Sequence, residues 1–106
     1  PAVGRKIGVG ALAELSLAAH EWKNAYWAKD KGLYARVFES LKELDKEVMI
    51  FTEKLASYNP ETLYEMKKML WKNTDHWDEL LAERAAISGE LVLSDFTKNA
   101  LAKYKK

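Results

Sequence analysis

Residues 40–55 read SLKELDKEVMIFTEKL, and this stretch decides the fold class because its apolar residues repeat at helical spacing. Ser40 and Glu43 form a capping-box pattern, in which each side chain can meet a free backbone N–H group at a helix start. The stretch therefore predicts an amphipathic helix. The residues of its apolar face recur three or four positions apart: Leu41, Leu44, Val48, Phe51 and Leu55.

Helical signals continue on the N-terminal side of this stretch. Residues 4–17 mix apolar side chains with alanine and glycine, which predicts a helix that can approach a neighbour closely, although each glycine costs about 1 kcal/mol against alanine. Residues 24–31 predict a short helix that Gly32 ends in the left-handed conformation. Residues 33–38 are rich in β-branched and aromatic side chains, which favours a short strand or an extended edge.

Two further helices carry clear start signals on the C-terminal side. Asn59 is the predicted cap of a fourth helix, Pro60 fills its first position, and Glu61 lies near the positive end of the helix dipole. Ser94 is the predicted cap of a short last helix over residues 95–104.

Between them, Thr74 is the predicted cap of a helix that runs from about residue 75 to residue 88 or beyond. Gly89 is expected to break or bend this helix. The sum is a mostly α fold with about five or six helices and at most one short strand.

Composition and charge narrow the classes of function. Apolar residues make up 48% and charged residues 31% of the 106 residues, so the chain can bury a core. The net charge is +1 with basic and acidic residues interspersed, which argues against nucleic acid as a partner because phosphate binding needs a clustered basic face. The chain holds no cysteine, which excludes disulfides, thiolate zinc sites and cysteine nucleophiles.

Other sequence-wide features concern location and context. No apolar run reaches the roughly 18 residues of a membrane span, and no signal peptide is visible, so we expect a cytoplasmic protein without a membrane partner. The chain opens on Pro1, which is expected of a piece of a longer chain, although removal of an initiator methionine would look the same. Its 4 Trp, 5 Tyr and 3 Phe should be largely buried or lie in an interface.

The sequence offers few candidates for chemistry. Glu14 lies between apolar residues, where desolvation could prepare a carboxyl group for acid–base catalysis, but a solvated or salt-bridged role is favoured. His20 and His76 lack partners at metal-ligand spacing, and a surface position at a helix start is favoured for His76. Neither a catalytic residue nor a metal site is predicted. Four large apolar residues could line an acyl pocket, although a place in the core or in a subunit contact is favoured for them. These residues are Met66, Met69, Trp71 and Trp77.

Two stretches resemble the crotonase superfamily of enoyl-CoA hydratases and isomerases. Residues 2–38 resemble the part that follows the catalytic region, with a Val3-Gly4 pair at a helix start and an A-x-x-x-G-L pattern from Ala28 to Leu33. Residues 55–98 are similar to the C-terminal helices of bacterial enoyl-CoA hydratases, particularly a branch related to methylglutaconyl-CoA hydratases. The resemblance covers nearly the whole chain.

The resemblance implies an acyl-CoA thioester substrate and no cofactor beyond the CoA of that substrate. In the family, backbone N–H groups stabilise a thioester enolate and two glutamates transfer protons during addition or removal of water. Those groups would precede Pro1, so the chain alone is expected to be inactive. The resemblance divides the chain into the helical end of the core, residues 1–38, and a C-terminal helical trimerisation and lid region, residues 39–106. The expected assembly is a trimer or a dimer of trimers.

The last helix of the family offers an aromatic and a basic residue near the CoA adenine and phosphate. Its usual pattern is DFxEGxxAFxEKR, and Asp95 and Phe96 match that pattern. Lys103 occupies the place of the usual aromatic residue, with Tyr104 one position on. The resemblance therefore implies Phe96, Lys103 and Tyr104 as substrate-binding residues.

Two other functions remain open on the residues alone. The chain could be a non-catalytic helical module that self-associates through its aromatic faces, or a small acyl-CoA carrier. Binding of a CoA thioester separates the first alternative from the enzyme segment, and tight binding by a monomer would indicate the second.

Overall fold

A computed structural model describes residues 1–105, and it contains six α-helices and no β-strand within those residues. The prediction of a mostly α fold with about five or six helices is confirmed. The helices are α1 (Ala2–Leu17), α2 (Ala25–Asp30), α3 (Leu41–Ser57), α4 (Pro60–Leu70), α5 (Trp77–Val92) and α6 (Asp95–Ala102).

Four of these helices begin at a polar side chain that accepts a hydrogen bond from a backbone N–H group of the first turn. Such a cap typically stabilises a helix by about 1 kcal/mol, because the first N–H groups have no partner inside the helix. The caps at Ser40, Asn59 and Ser94 confirm the prediction from the sequence. Asn24 caps α2 in the same way.

Helix α1 contains a kink that the sequence pattern does not predict. Gly8 has φ 82° and ψ 165°, a backbone conformation that is essentially restricted to glycine. An added Cβ atom at Gly8 would meet nothing within 4 Å. The glycine is therefore required by the backbone angles at this point and not by close packing.

Gly32 ends the α2 region with φ 85°, as predicted from its place just after the helix. The carbonyl oxygen of Ala28 accepts hydrogen bonds from the N–H groups of Leu33, at 2.8 Å, and Tyr34, at 3.2 Å. Residues 33–39, called the connecting segment below, have no regular secondary structure. The strand that was one of two options for residues 33–38 is therefore not formed.

Two predictions about α5 are wrong. Thr74 does not cap the helix, because its hydroxyl group instead donates a hydrogen bond to the carbonyl oxygen of Trp71 at 2.6 Å. His76 occupies the cap position without a side-chain cap bond. Gly89 does not break the helix, which continues to Val92. The cost of one glycine is only about 1 kcal/mol, and α5 is otherwise rich in strong helix formers such as Leu, Ala and Glu.

The chain divides into two compact units, Pro1–Lys68 and Met69–Lys106. Ala28 in the first unit, 6% exposed, is the only buried hydrophobic residue among those that the structure describes. Large apolar side chains are exposed in both units, among them Phe51 in the first and Leu91 in the second. The predicted boundary between residues 38 and 39 stays a prediction.

Candidate functional site

In the first unit, the connecting segment lines two open grooves. The start of this segment is fixed to α1, because the Lys6 ammonium group donates a hydrogen bond to the carbonyl oxygen of Leu33 at 3.2 Å. Its end is fixed by Ser40, the cap of α3. The segment is thus held at both ends while its middle remains free of helix or strand.

One groove lies between the connecting segment and α3, and it is called the α3 groove below. Its volume is about 420 Å³, within the range of small-molecule pockets, but it is open to solvent. Most of its lining is apolar. The lining residues are Leu33, Tyr34, Ala35, Arg36, Phe38, Leu44, Glu47, Val48 and Phe51.

A second groove, of about 440 Å³, involves the same segment and the start of α3, and it is called the Ala25 groove below. It shares four lining residues with the α3 groove and adds Ala25 from α2. The complete lining is Ala25, Tyr34, Arg36, Val37, Phe38, Glu39, Ser40, Leu41 and Leu44.

The charged side chains in these grooves already have partners. The guanidinium group of Arg36 lies 4.0 Å from the carboxylate of Glu47 and 5.7 Å from the ring centroid of Phe51. Glu39 accepts a hydrogen bond from the phenolic hydroxyl of Tyr26. The grooves therefore present a neutral and mostly apolar surface to a ligand.

Glu14 is unsuited to act as a general acid. The ammonium group of Lys23 donates a hydrogen bond to the Glu14 carboxylate at 2.9 Å. This hydrogen bond and the charge of Lys23 lower the pKa of Glu14 below its ordinary value, whereas a general acid needs a raised pKa. The sequence favours a solvated or salt-bridged carboxylate, and Glu14 is salt-bridged to Lys23 while 45% of its side chain stays exposed.

Lys23 completes a small polar cluster between α1 and α2. It also contacts Glu21 at 3.4 Å, and its ammonium group lies 5.6 Å from the ring centroid of Trp27. The hydrogen bond to Glu14 raises the pKa of Lys23 despite partial desolvation. The hydrogen bond from Lys23 to Glu14 and the contact of Lys23 with Trp27 link α1 to α2.

The predicted substrate-binding residues lie at the end of the second unit. Phe96 lies in the first turn of α6 and is 86% exposed. Lys103 is the residue after α6, and Tyr104 follows it. No side-chain hydrogen bond or ring contact joins these three residues within residues 1–105.

The second unit also contains an aromatic pair. The rings of Trp71 and Trp77 are 5.7 Å apart between centroids, with an interplanar angle of 83°. This edge-to-face geometry stabilises a pair by about 0.5–1.5 kcal/mol beyond area burial. The pair supports the favoured structural role for these tryptophans, although Trp71 remains half exposed.

The two histidines lie on the surface, and His76 stands immediately before α5 as favoured from the sequence. No group of three or more metal-binding side chains is found in the part of the chain that the structure describes. None of the helices in residues 1–105 combines the length and apolar character that a membrane crossing requires.

The sequence pattern of residues 33–38 predicts local structure only and does not reveal the two grooves. The sequence feature that could have indicated an apolar groove is the run of aromatic and aliphatic residues directly before the Ser40 cap. Arg36 and Glu47 could not be paired from the sequence, because their contact requires the turn between the connecting segment and α3.

Comparison with protein-family models, with curated proteins and with solved structures yields no significant match.

Proposed function

We propose that this chain is the C-terminal helical segment of an enoyl-CoA hydratase or isomerase that acts on acyl-CoA thioesters. In this proposal its helices cover the acyl pocket and provide subunit contacts. The catalytic glutamates belong to a part of the parent enzyme that lies upstream of Pro1. The chain by itself is inactive.

The observation that carries this proposal is the uncovered apolar surface of otherwise well-formed helices. Val48 and Phe51 on the apolar face of α3 are each about half exposed, at 51% and 52%. Monomeric proteins rarely leave contiguous apolar patches larger than a few hundred Å² exposed, so such faces indicate a partner surface. A segment that packs against a catalytic core and against neighbouring subunits would have this property.

The sequence pattern supports a catalytic core of the crotonase type as the proposed partner. The A-x-x-x-G-L pattern at residues 28–33 and the stretch at residues 55–98 resemble the crotonase superfamily. The Ala28 to Leu33 pattern has a physical role here, because Ala28 is buried and Gly32 takes a positive φ angle. These two positions would be difficult to fill with other residues.

Reconstitution tests the proposal directly. We expect the 106-residue chain alone to leave the absorbance of an α,β-unsaturated acyl-CoA, such as crotonyl-CoA, unchanged. Co-expression with the catalytic half of a crotonase-type hydratase should restore loss of the enoyl absorbance. A chain that carries Phe51→Glu should fail to restore it, whereas Lys46→Glu, on the polar side of α3, should behave like the unaltered chain. Turnover by the chain alone would refute the proposal.

The substrate-binding residues have a test of their own in the reconstituted enzyme. Lys103→Ala should raise KM about fivefold with little change in kcat, because one charge-assisted contact to phosphate contributes roughly 1 kcal/mol. Tyr104→Leu should give a smaller rise. An unchanged KM for both variants would remove residues 96, 103 and 104 from the substrate site.

A non-catalytic module that self-associates is the second candidate, favoured by the same exposed face of α3. Both candidates predict oligomers, so molecular size does not separate them. Binding of a CoA thioester by the assembled protein would favour the enzyme segment. Stable self-association without such binding would favour the module.

A further inference from the structure

No further inference is drawn: the strongest candidate, the run of exposed apolar side chains from Leu91 to Leu93 where α5 leads into α6, carries none because nothing in the structure shows what covers it.

Discussion

The α1–α2 junction and the apolar face of α3 belong to the same unit, yet they are stabilised in opposite ways. At the junction, Lys6 and Lys23 form hydrogen bonds between separate segments, and Ala28 is buried. On α3, the cap at Ser40 fixes the start of the helix while its apolar side chains remain open to solvent. The comparison teaches that local order in this chain comes from caps and polar contacts, whereas the apolar surface of α3 contributes little burial to it.

The largest expected effect tests whether the face of α3 is an interface. Phe51→Ala should weaken association of the chain by about 2 kcal/mol, roughly 30-fold in Kd, because buried aromatic residues dominate interface energies. Lys46→Ala, on the polar side of α3, should leave Kd unchanged. Sedimentation velocity over a range of concentrations measures both. If the unaltered chain stays monomeric at all concentrations, the exposed apolar face of α3 is not an interface between copies of this chain.

The next-largest expected effect compares two glycines, Gly32 after α2 and Gly10 within α1. Gly32→Ala should destabilise the chain by about 1–2 kcal/mol, because a Cβ atom is strained at φ 85°. Gly10→Ala is the matched control, since an added Cβ there meets nothing within 4 Å. That change should stabilise α1 by up to about 1 kcal/mol. Urea unfolding followed by circular dichroism would show the opposite signs, and equal signs would contradict the argument.

A smaller effect concerns the start of α3. Ser40→Ala should cost about 1 kcal/mol, because the N–H group of Glu43 loses its acceptor, whereas Ser40→Gly should cost only a few tenths. The same unfolding measurement distinguishes them. Equal stability of the Ala variant and the unaltered chain would mean that the cap contributes little to α3.

The smallest effect is the pH dependence of the Glu14–Lys23 pair. The pKa of Glu14 is lowered from 4.5, so its contribution to stability is present above pH 4.5 and is lost as the pH falls through the lower value in the folded chain. The pKa of Lys23 is raised from 10.5, so its contribution is present below pH 10.5 and is lost as the pH rises through the higher value.

Thermal unfolding of the unaltered chain and of Glu14→Gln provides the measurement. The difference in Tm should be small and constant between these limits, and it should disappear at lower pH as the carboxylate of the unaltered chain is protonated. A difference that persists under strongly acidic conditions would assign the effect to packing of the side chain and not to the ion pair.

The sequence predicts the local features of the fold well, because each depends on neighbours in the chain. Caps such as Ser40 and the positive φ angle of Gly32 follow from short-range chemistry. Short-range chemistry does not predict the backbone at Gly8 and Gly89, which are both glycines within helical patterns. Gly8 kinks α1 whereas Gly89 leaves α5 unbroken, and the neighbouring residues do not distinguish the two cases.

The candidate site was less predictable, because it depends on contacts between separate segments. The grooves exist only once Ser40 turns the connecting segment back along α3, which brings Arg36 to Glu47. Reasoning from the sequence alone gives no distance between those residues. The resemblance implies substrate-binding roles for Phe96, Lys103 and Tyr104, and these roles stay predictions.

Trp22 is 97% exposed between α1 and α2, and this gives the molecule a built-in optical reporter. An indole ring in water emits at long wavelength, and its emission moves to shorter wavelength when a neighbouring surface excludes water from it. Replacing the other three tryptophans with phenylalanine would leave a single fluorophore beside the α1–α2 junction. Binding of any candidate partner could then be followed by the wavelength of maximum fluorescence emission. This measurement needs far lower protein concentrations than NMR of the backbone amides.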